Sequence, residues 1–486
     1  MERTLNAGVA RRVINPKLGT GKAGLRLFGA PIQAIESDLT ATVLVLSDRE
    51  GAKVAVIGTD LCVMSMAEAG RLRVAVAEAL TVPVSHVLLN LSHNHSSPAL
   101  PEFMAMTDTT EDVPFRERYE RDLTRWLVEA AVEADAVLQP ARIGCGWGES
   151  TIGVYRREPR DGIDVLVLGE VPDHPIDSSV GVIRVDDLDG TPIATLFRYS
   201  AHPVSVGSRS MVASPDYPGP AREVIEANLG GLALFLQGCG GNINPRVGIG
   251  YEIDCSDTKN RVGMELGGEA LKIAAGIRTN TRAGERRPLG NVPNILFTPW
   301  EPVTGDTCTY LGAAETTVSM DYAELPSLDE ARAILAHWES EIETRRARDA
   351  QDWEMRAALK YVHWARNLVA AVEHGHPMLD LHLQAIRVND IVLTAMNVET
   401  FFETGLEVRA RSPFPDTFVL GYTNGLVSYL PRAEDYPEGG WRLDVSYAVP
   451  DLIPQAWGMP VALAPDSEQR AVDGSLELIR LLSVKP

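Results

Sequence analysis

Apolar runs of four to eight residues, each closed by a polar or turn-forming cluster, recur along the chain and predict buried strands. The runs 53–58, 86–91, 192–199, 231–237 and 390–396 are the clearest. Between the first two, residues 65–79 carry a helical spacing of apolar positions, and this alternation continues over about 7–275 as a βαβ rhythm. Farther on, Ser327 and Glu330 form a capping-box pattern that opens a long charged helical stretch to about Glu373. Its Trp338, Trp353 and Trp364 are expected to pack it against the sheet or against a partner subunit, which leaves a homo-oligomer open. After it, 383–388 and 391–396 flank Asn389-Asp390 and read as a hairpin. The expected architecture is α/β: one domain over residues 1–486, built on a large mixed sheet with flanking helices and a helical insertion near 327–376.

The strand ends carry the chemistry. The run 86–91 leads into Ser92-His93-Asn94-His95-Ser96, and 53–58 ends at Thr59-Asp60. The run 192–199 leads into Ser200-Ala201-His202, and 231–237 into Gly238-Cys239-Gly240-Gly241-Asn242. The run 390–396 ends at Asn397-Val398-Glu399, followed shortly by Glu403. Ligands of α/β sheets bind beyond the carboxyl ends of strands, so polar residues gathered there from distant segments predict a site. His93, His202 and Glu399 make a set of two imidazoles and one carboxylate, which suits Zn²⁺, one per chain, and leaves a position open for water. Alternation along an extended strand would send the imidazoles of His93 and His95 to the same side of the chain. Asp60, Asp216, Asn242 and Glu403 are candidates for the walls of a substrate pocket.

Composition narrows the class. The chain has 486 residues, 45% of them hydrophobic, and a net charge of -21. That charge argues against nucleic acid and against an anionic membrane surface as partner. The partner expected is a small-molecule substrate. The first residues lack an apolar signal core, and no stretch reaches the ~18 apolar residues of a membrane span. The expectation is therefore a cytoplasmic protein without membrane insertion. Five cysteines, dispersed and without a Cys-x-x-Cys pair, indicate neither a disulfide framework nor a thiolate zinc cluster. Cys239, in its glycine-rich turn, reads as a small buried residue rather than a nucleophile.

Eight segments, taken in order, resemble the neutral/alkaline ceramidases, specifically their N-terminal catalytic domain. They run from Ala7-Gly8-Val9 and the His93/His95 pair through Tyr155-Arg156-Arg157, Ala201-His202-Pro203, Ser214-Pro215-Asp216 and Gly240-Gly241-Asn242. They end with Asn397-Val398-Glu399 and with Asn424 to Tyr429, which is followed by Glu438-Gly439-Gly440-Trp441. The resemblance implies that His93, His202, Glu399 and Tyr429 hold the zinc. It implies further that His95 is the catalytic residue beside the substrate carbonyl and that Arg156 orients substrate. Two departures stand out: Trp441 occupies the position where the family has a catalytic tyrosine, and the chain stops at Pro486 without the immunoglobulin-like C-terminal domain. Trp441 joins the pocket candidates.

The reading is a zinc-dependent amidohydrolase that cleaves the C–N bond of a small soluble N-acyl or cyclic amide. Ester, lactone or glycosidic bonds remain an alternative, since the metal and an acid/base group do not dictate the bond. A binding protein that keeps its metal without catalysis is the third reading. An uncoordinated imidazole and guanidinium at the site speak against it.

Overall fold

Strand Thr40–Ser47 is buried along nearly its whole length, and its side chains divide between two cores. Ala41, Val43 and Val45 face helices Met66–Leu80 and Val113–Ala136, meeting Leu72, Val76, Leu123 and Leu127. Leu44 and Leu46 face the other way, toward Ile386, Val388, Leu393 and Phe418. A strand buried on both faces has no polar face to alternate with, which is why the sequence shows continuous apolar runs.

This strand belongs to an eight-stranded mixed sheet with the order Leu232–Gln237, Pro192–Tyr199, Ser179–Asp187, Gln139–Glu149, Leu5–Val13, Thr40–Ser47, Lys53–Thr59, Val87–Leu91. Only the two outermost pairs are parallel, each joined through a helix. The βαβ rhythm thus holds at the two ends of the sheet, whereas the middle is antiparallel. A second, four-stranded sheet is ordered Leu311–Met320, Leu379–Val388, Ile391–Met396, Asp416–Leu420. It lies face to face with the first, and its outer face, with Leu381, Leu383 and Val392, is covered by Leu476 and Ile479 of helix Ser467–Ser483. The layers run helices, sheet, sheet, helix. The large mixed sheet and the hairpin of Leu379–Val388 with Ile391–Met396 are as expected; that this hairpin is the middle of a second sheet packed on the first was not legible. In the computed structural model, the residues described are 4–23, 30–100, 113–161, 163–250, 254–350, 352–375, 378–438 and 459–483. Among them no helix is long and apolar enough to cross a membrane.

The caps follow the sequence. Ser65 and Ser327 each close a capping box, with Glu68 and Glu330. Asn389, in the left-handed region at φ 55°, turns the hairpin between Leu379–Val388 and Ile391–Met396. The helical insertion is corrected in one respect, because it is two helices, Leu328–Ala347 and Asp352–His374. The chain reverses near Asp349, whose φ of 53° ends the first helix. Trp338 and Trp364 pack between these two helices, and the Trp364 indole donates to the Pro460 carbonyl at 3.0 Å. They build the insertion's own core rather than packing it on the sheet; the side chain of Trp353 lies outside the described residues, as does His376.

Candidate metal centre and its surroundings

The carboxyl ends of both sheets meet at one place. Asn90, fully buried near the end of Val87–Leu91, donates to the Gly421 carbonyl and to Thr423 Oγ1, each at 3.0 Å. Its Oδ1 accepts the Gln237 N–H at 2.7 Å. One side chain therefore ties the end of the large sheet to the segment that follows Asp416–Leu420. Asn424 repeats the device, accepting the Leu89 N–H at 2.9 Å and donating to Gln384 at 2.7 Å.

From this seam the histidines hang. The strand stops at Leu91, and His93 adopts φ 61°, in the left-handed region. Strand alternation is therefore not what aligns the pair. The left-handed turn does it, bringing His93 Nε2 and His95 Nε2 within 3.2 Å of each other. Such a backbone costs about 1 kcal/mol or more for a non-glycine residue and is held by its surroundings, here by the His93 N–H donating to the Leu61 carbonyl at 2.9 Å.

His93 Nδ1 donates to the Cys62 carbonyl at 2.9 Å, and His202 Nδ1 to the Gly240 carbonyl at 2.7 Å. Those bonds fix both tautomers and turn both Nε2 atoms inward. Glu399 Oε2 receives them, 3.3 Å from His93 Nε2 and 3.0 Å from His202 Nε2. All three residues are buried, and their ligand atoms lie within 4.8 Å of one another. Two lone pairs and a carboxylate oxygen aimed at a common point repel unless a cation lies among them. The donor set therefore fits a divalent ion of the zinc type. Gly241 permits the approach of the Gly240 loop: a Cβ there would come within 2.9 Å of the Glu399 and Thr400 carbonyl oxygens.

The charges respond accordingly. With no cation among these atoms, burial opposes a proton on His93, yet the Glu399 carboxylate beside it prevails and raises it to about 10, a proton that a bound ion would have to displace. Burial, reinforced by the Arg156 guanidinium, drives His202 down to about 3. Burial also takes His95 well below its ordinary value, helped by the neighbouring His93 and His202. Glu399 falls well below the usual carboxylate range; burial opposes this, and His93 and His202 outweigh it. His95 Nδ1 is buried without a hydrogen-bond partner among the described residues.

Arg156 and Tyr429 complete the cluster. Tyr429 lies opposite Glu399 in a short parallel pairing, and its hydroxyl accepts from Arg156 Nη2 at 3.1 Å. Arg156 Nη1 reaches Asn244 Oδ1 at 3.5 Å, and its backbone N–H donates to the Asn242 carbonyl.

The pocket candidates separate. Asn242 Nδ2 donates to Glu403 Oε2 at 2.8 Å while its Oδ1 accepts the Phe402 N–H, so this pair adjoins the cluster. Asp60 is held by Arg222 on both carboxylate oxygens at 2.7 Å, with further bonds from Thr40, a buried pair that joins helix Pro218–Leu229 to the sheet. The oxygens of Asp216 accept the backbone N–H groups of Ser205, Val206 and Tyr217 and shape the loop after His202. Trp441 lies outside the described residues. Sequence reasoning missed Tyr422, whose buried ring lies 4.5 Å from that of His93. The signal was present, since Gly421-Tyr422-Thr423 closes the apolar run of Asp416–Leu420 just as the other polar clusters close theirs.

Among solved structures, the neutral ceramidase of Pseudomonas aeruginosa superposes with a TM-score of 0.66 at 18% identity, over 100% of this chain and 76% of that one. This chain has the neutral ceramidase fold. A ceramidase complexed with C2 superposes with the same TM-score at 16% identity, over 99% of this chain and 75% of that one. No family model and no curated protein matches the sequence. The ceramidase-like resemblance of the eight segments is thus supported at the level of fold. The His93, His202 and Glu399 cluster lies at the sheet ends of that fold.

Proposed function

We propose that the protein is a zinc-dependent amidohydrolase. The observation that carries this reading is the convergence of His93 Nε2, His202 Nε2 and Glu399 Oε2, with His95 Nε2 3.2 Å from His93. His93, His202 and Glu399 would hold the ion, with Tyr429 beside Glu399 as the fourth candidate ligand. Bound zinc supplies a Lewis acid that lowers the pKa of water to about 7 and polarises a carbonyl.

The chain's own groups divide the remaining work. His95, kept neutral by burial, can accept a proton at Nδ1 and return it to a leaving nitrogen. Arg156, fixed through Asn244 and Tyr429, presents positive charge where an oxyanion develops. The Cys62 and Gly240 carbonyls keep the ligating tautomers of His93 and His202.

The substrate class we infer is a small, water-soluble N-acyl or cyclic amide. A net charge of -21 disfavours an anionic membrane surface as the place from which a two-chain lipid is drawn. By the sequence resemblance Trp441 stands where the family has a tyrosine, and a donor-only indole there would lack a proton-transferring hydroxyl. The test is metal analysis with turnover: about one Zn²⁺ per chain and hydrolysis of soluble amides support the reading. A metal-free, inactive purified protein that gains neither on zinc addition overturns it.

A further inference from the structure

Residues 278–302 form a β-arm, rooted by the buried Thr279, whose outer part no other described residue covers. Strands Thr281–Ala283 and Trp300–Pro302 make its base, and Arg287–Leu289 and Val292–Phe297 its tip, joined by the two-residue turn Gly290-Asn291. Every residue from Glu285 to Thr298 is exposed. Leu289, Val292, Ile295, Leu296 and Phe297 are among them, and Trp300 at the base is exposed as well, the six being 36–53% exposed.

The pairing is interrupted between Pro288 and Leu289, where Leu289 faces Val292 and Pro288 faces Leu296, so Pro293 to Ile295 bulge from the ladder. Val292, Ile295, Leu296 and Phe297 are all left exposed. A single two-stranded hairpin is marginal in water on its own, so this arm gains its stability from something that covers these side chains.

Charge identifies the cover. The arm carries Arg278, Arg282, Arg286 and Arg287 against Glu285 and Glu301, a positive protrusion from a chain whose net charge is -21. The surface that complements it is the body of the same protein. Two arms laid against each other would oppose arginine to arginine. Pro288 and Pro293 interrupt the arm's backbone donors, so contact runs through side chains rather than by strand addition.

We propose that the arm 278–302 docks on the acidic body of a second copy of this chain, in a reciprocal exchange that closes as a two-fold dimer. Six large side chains about half exposed offer several hundred Å² per arm. Reciprocal exchange would thus bury on the order of 1,000 Å² of arm surface before the acceptor is counted, the range of a specific interface.

Sedimentation velocity on the full chain tests this. The wild type should sediment with twice the chain mass at about 10 µM, and Ile295→Ser/Leu296→Ser/Phe297→Ser as a monomer with unchanged circular dichroism. Arg286→Glu, which leaves the Arg287 guanidinium over the Phe297 ring, should weaken the dimer by roughly tenfold or more, and added salt should weaken the wild-type dimer. A monomeric wild type at about 50 µM, or a dimer that both variants leave intact, overturns the proposal. So does a monomeric wild type that floats with phosphatidylserine vesicles when the triple variant does not, because the arm would then be a membrane anchor.

Discussion

His93 and Glu399 approach to 3.3 Å although they hang from different sheets, His93 beyond Val87–Leu91 of the large sheet and Glu399 beyond Ile391–Met396 of the small one. An ion held between them would bridge the two halves of the sandwich. Metal binding and sheet packing would thereby be coupled, and ligation would contribute to folding stability.

Removal of the metal should accordingly lower the melting temperature. An ion present at about a thousandfold above its Kd stabilises by about 4 kcal/mol, which corresponds to a shift of several degrees for a chain of this size. Differential scanning calorimetry of zinc-loaded and chelator-treated protein measures it. Coincident transitions would uncouple the cluster from the fold.

His93→Ala and His202→Ala should each lose zinc and turnover together, because each removes an Nε2 already oriented by a carbonyl on Nδ1. Elemental analysis reads the first and steady-state assay the second. Full metal content in both variants would refute the ligand assignment.

His95→Ala should keep its metal and lose about 10²-fold or more in kcat, the usual scale for a missing acid/base or oxyanion donor. A variant that sheds zinc in proportion to activity would make His95 a ligand.

How much of this was legible in the sequence follows from what each feature depends on. Strands such as Thr40–Ser47 and Val87–Leu91 announce themselves, since burial on both faces demands apolar runs, and Ser65, Ser327 and Asn389 carry local cap and turn chemistry. The second sheet did not, because pairing of Leu311–Met320 with Leu379–Val388 spans the whole helical insertion and leaves no local pattern. The break at Asp349 and the left-handed His93 are backbone choices that tertiary contacts impose. The pairing of Asp60 with Arg222 was not legible, because the two lie far apart in sequence. His93, His202 and Glu399 were legible as strand-end polar residues, and Tyr422 could have been.

The seam itself makes a separate prediction. Asn90→Ala would strip partners from the Gln237 N–H and the Gly421 carbonyl in a fully buried place, at a cost of about 2–4 kcal/mol. Urea denaturation should show it, and zinc affinity should fall with it. A change below about 1 kcal/mol would mean that water replaces the lost bonds.

Acid stability has an identifiable contributor remote from the cluster. The His382 imidazole, hydrogen bonded to Glu315, holds its carboxyl down to about 2 against burial, and Arg73 assists. A depressed carboxyl stabilises above its ordinary value of 4.5 and loses that contribution as pH falls toward 2. Glu315→Gln should therefore be less stable than wild type at pH 6, and the two should converge near pH 2. An equal gap at both pH values would exclude this ionisation.

The most direct test of the account is kcat/KM of the zinc-loaded protein on a panel of soluble N-acyl and cyclic amides, beside a detergent-dispersed ceramide. Turnover of one or more soluble amides in clear preference to ceramide, abolished in His93→Ala, is the predicted result. A clear preference for ceramide, or no hydrolysis of any amide by fully metallated protein, would contradict it.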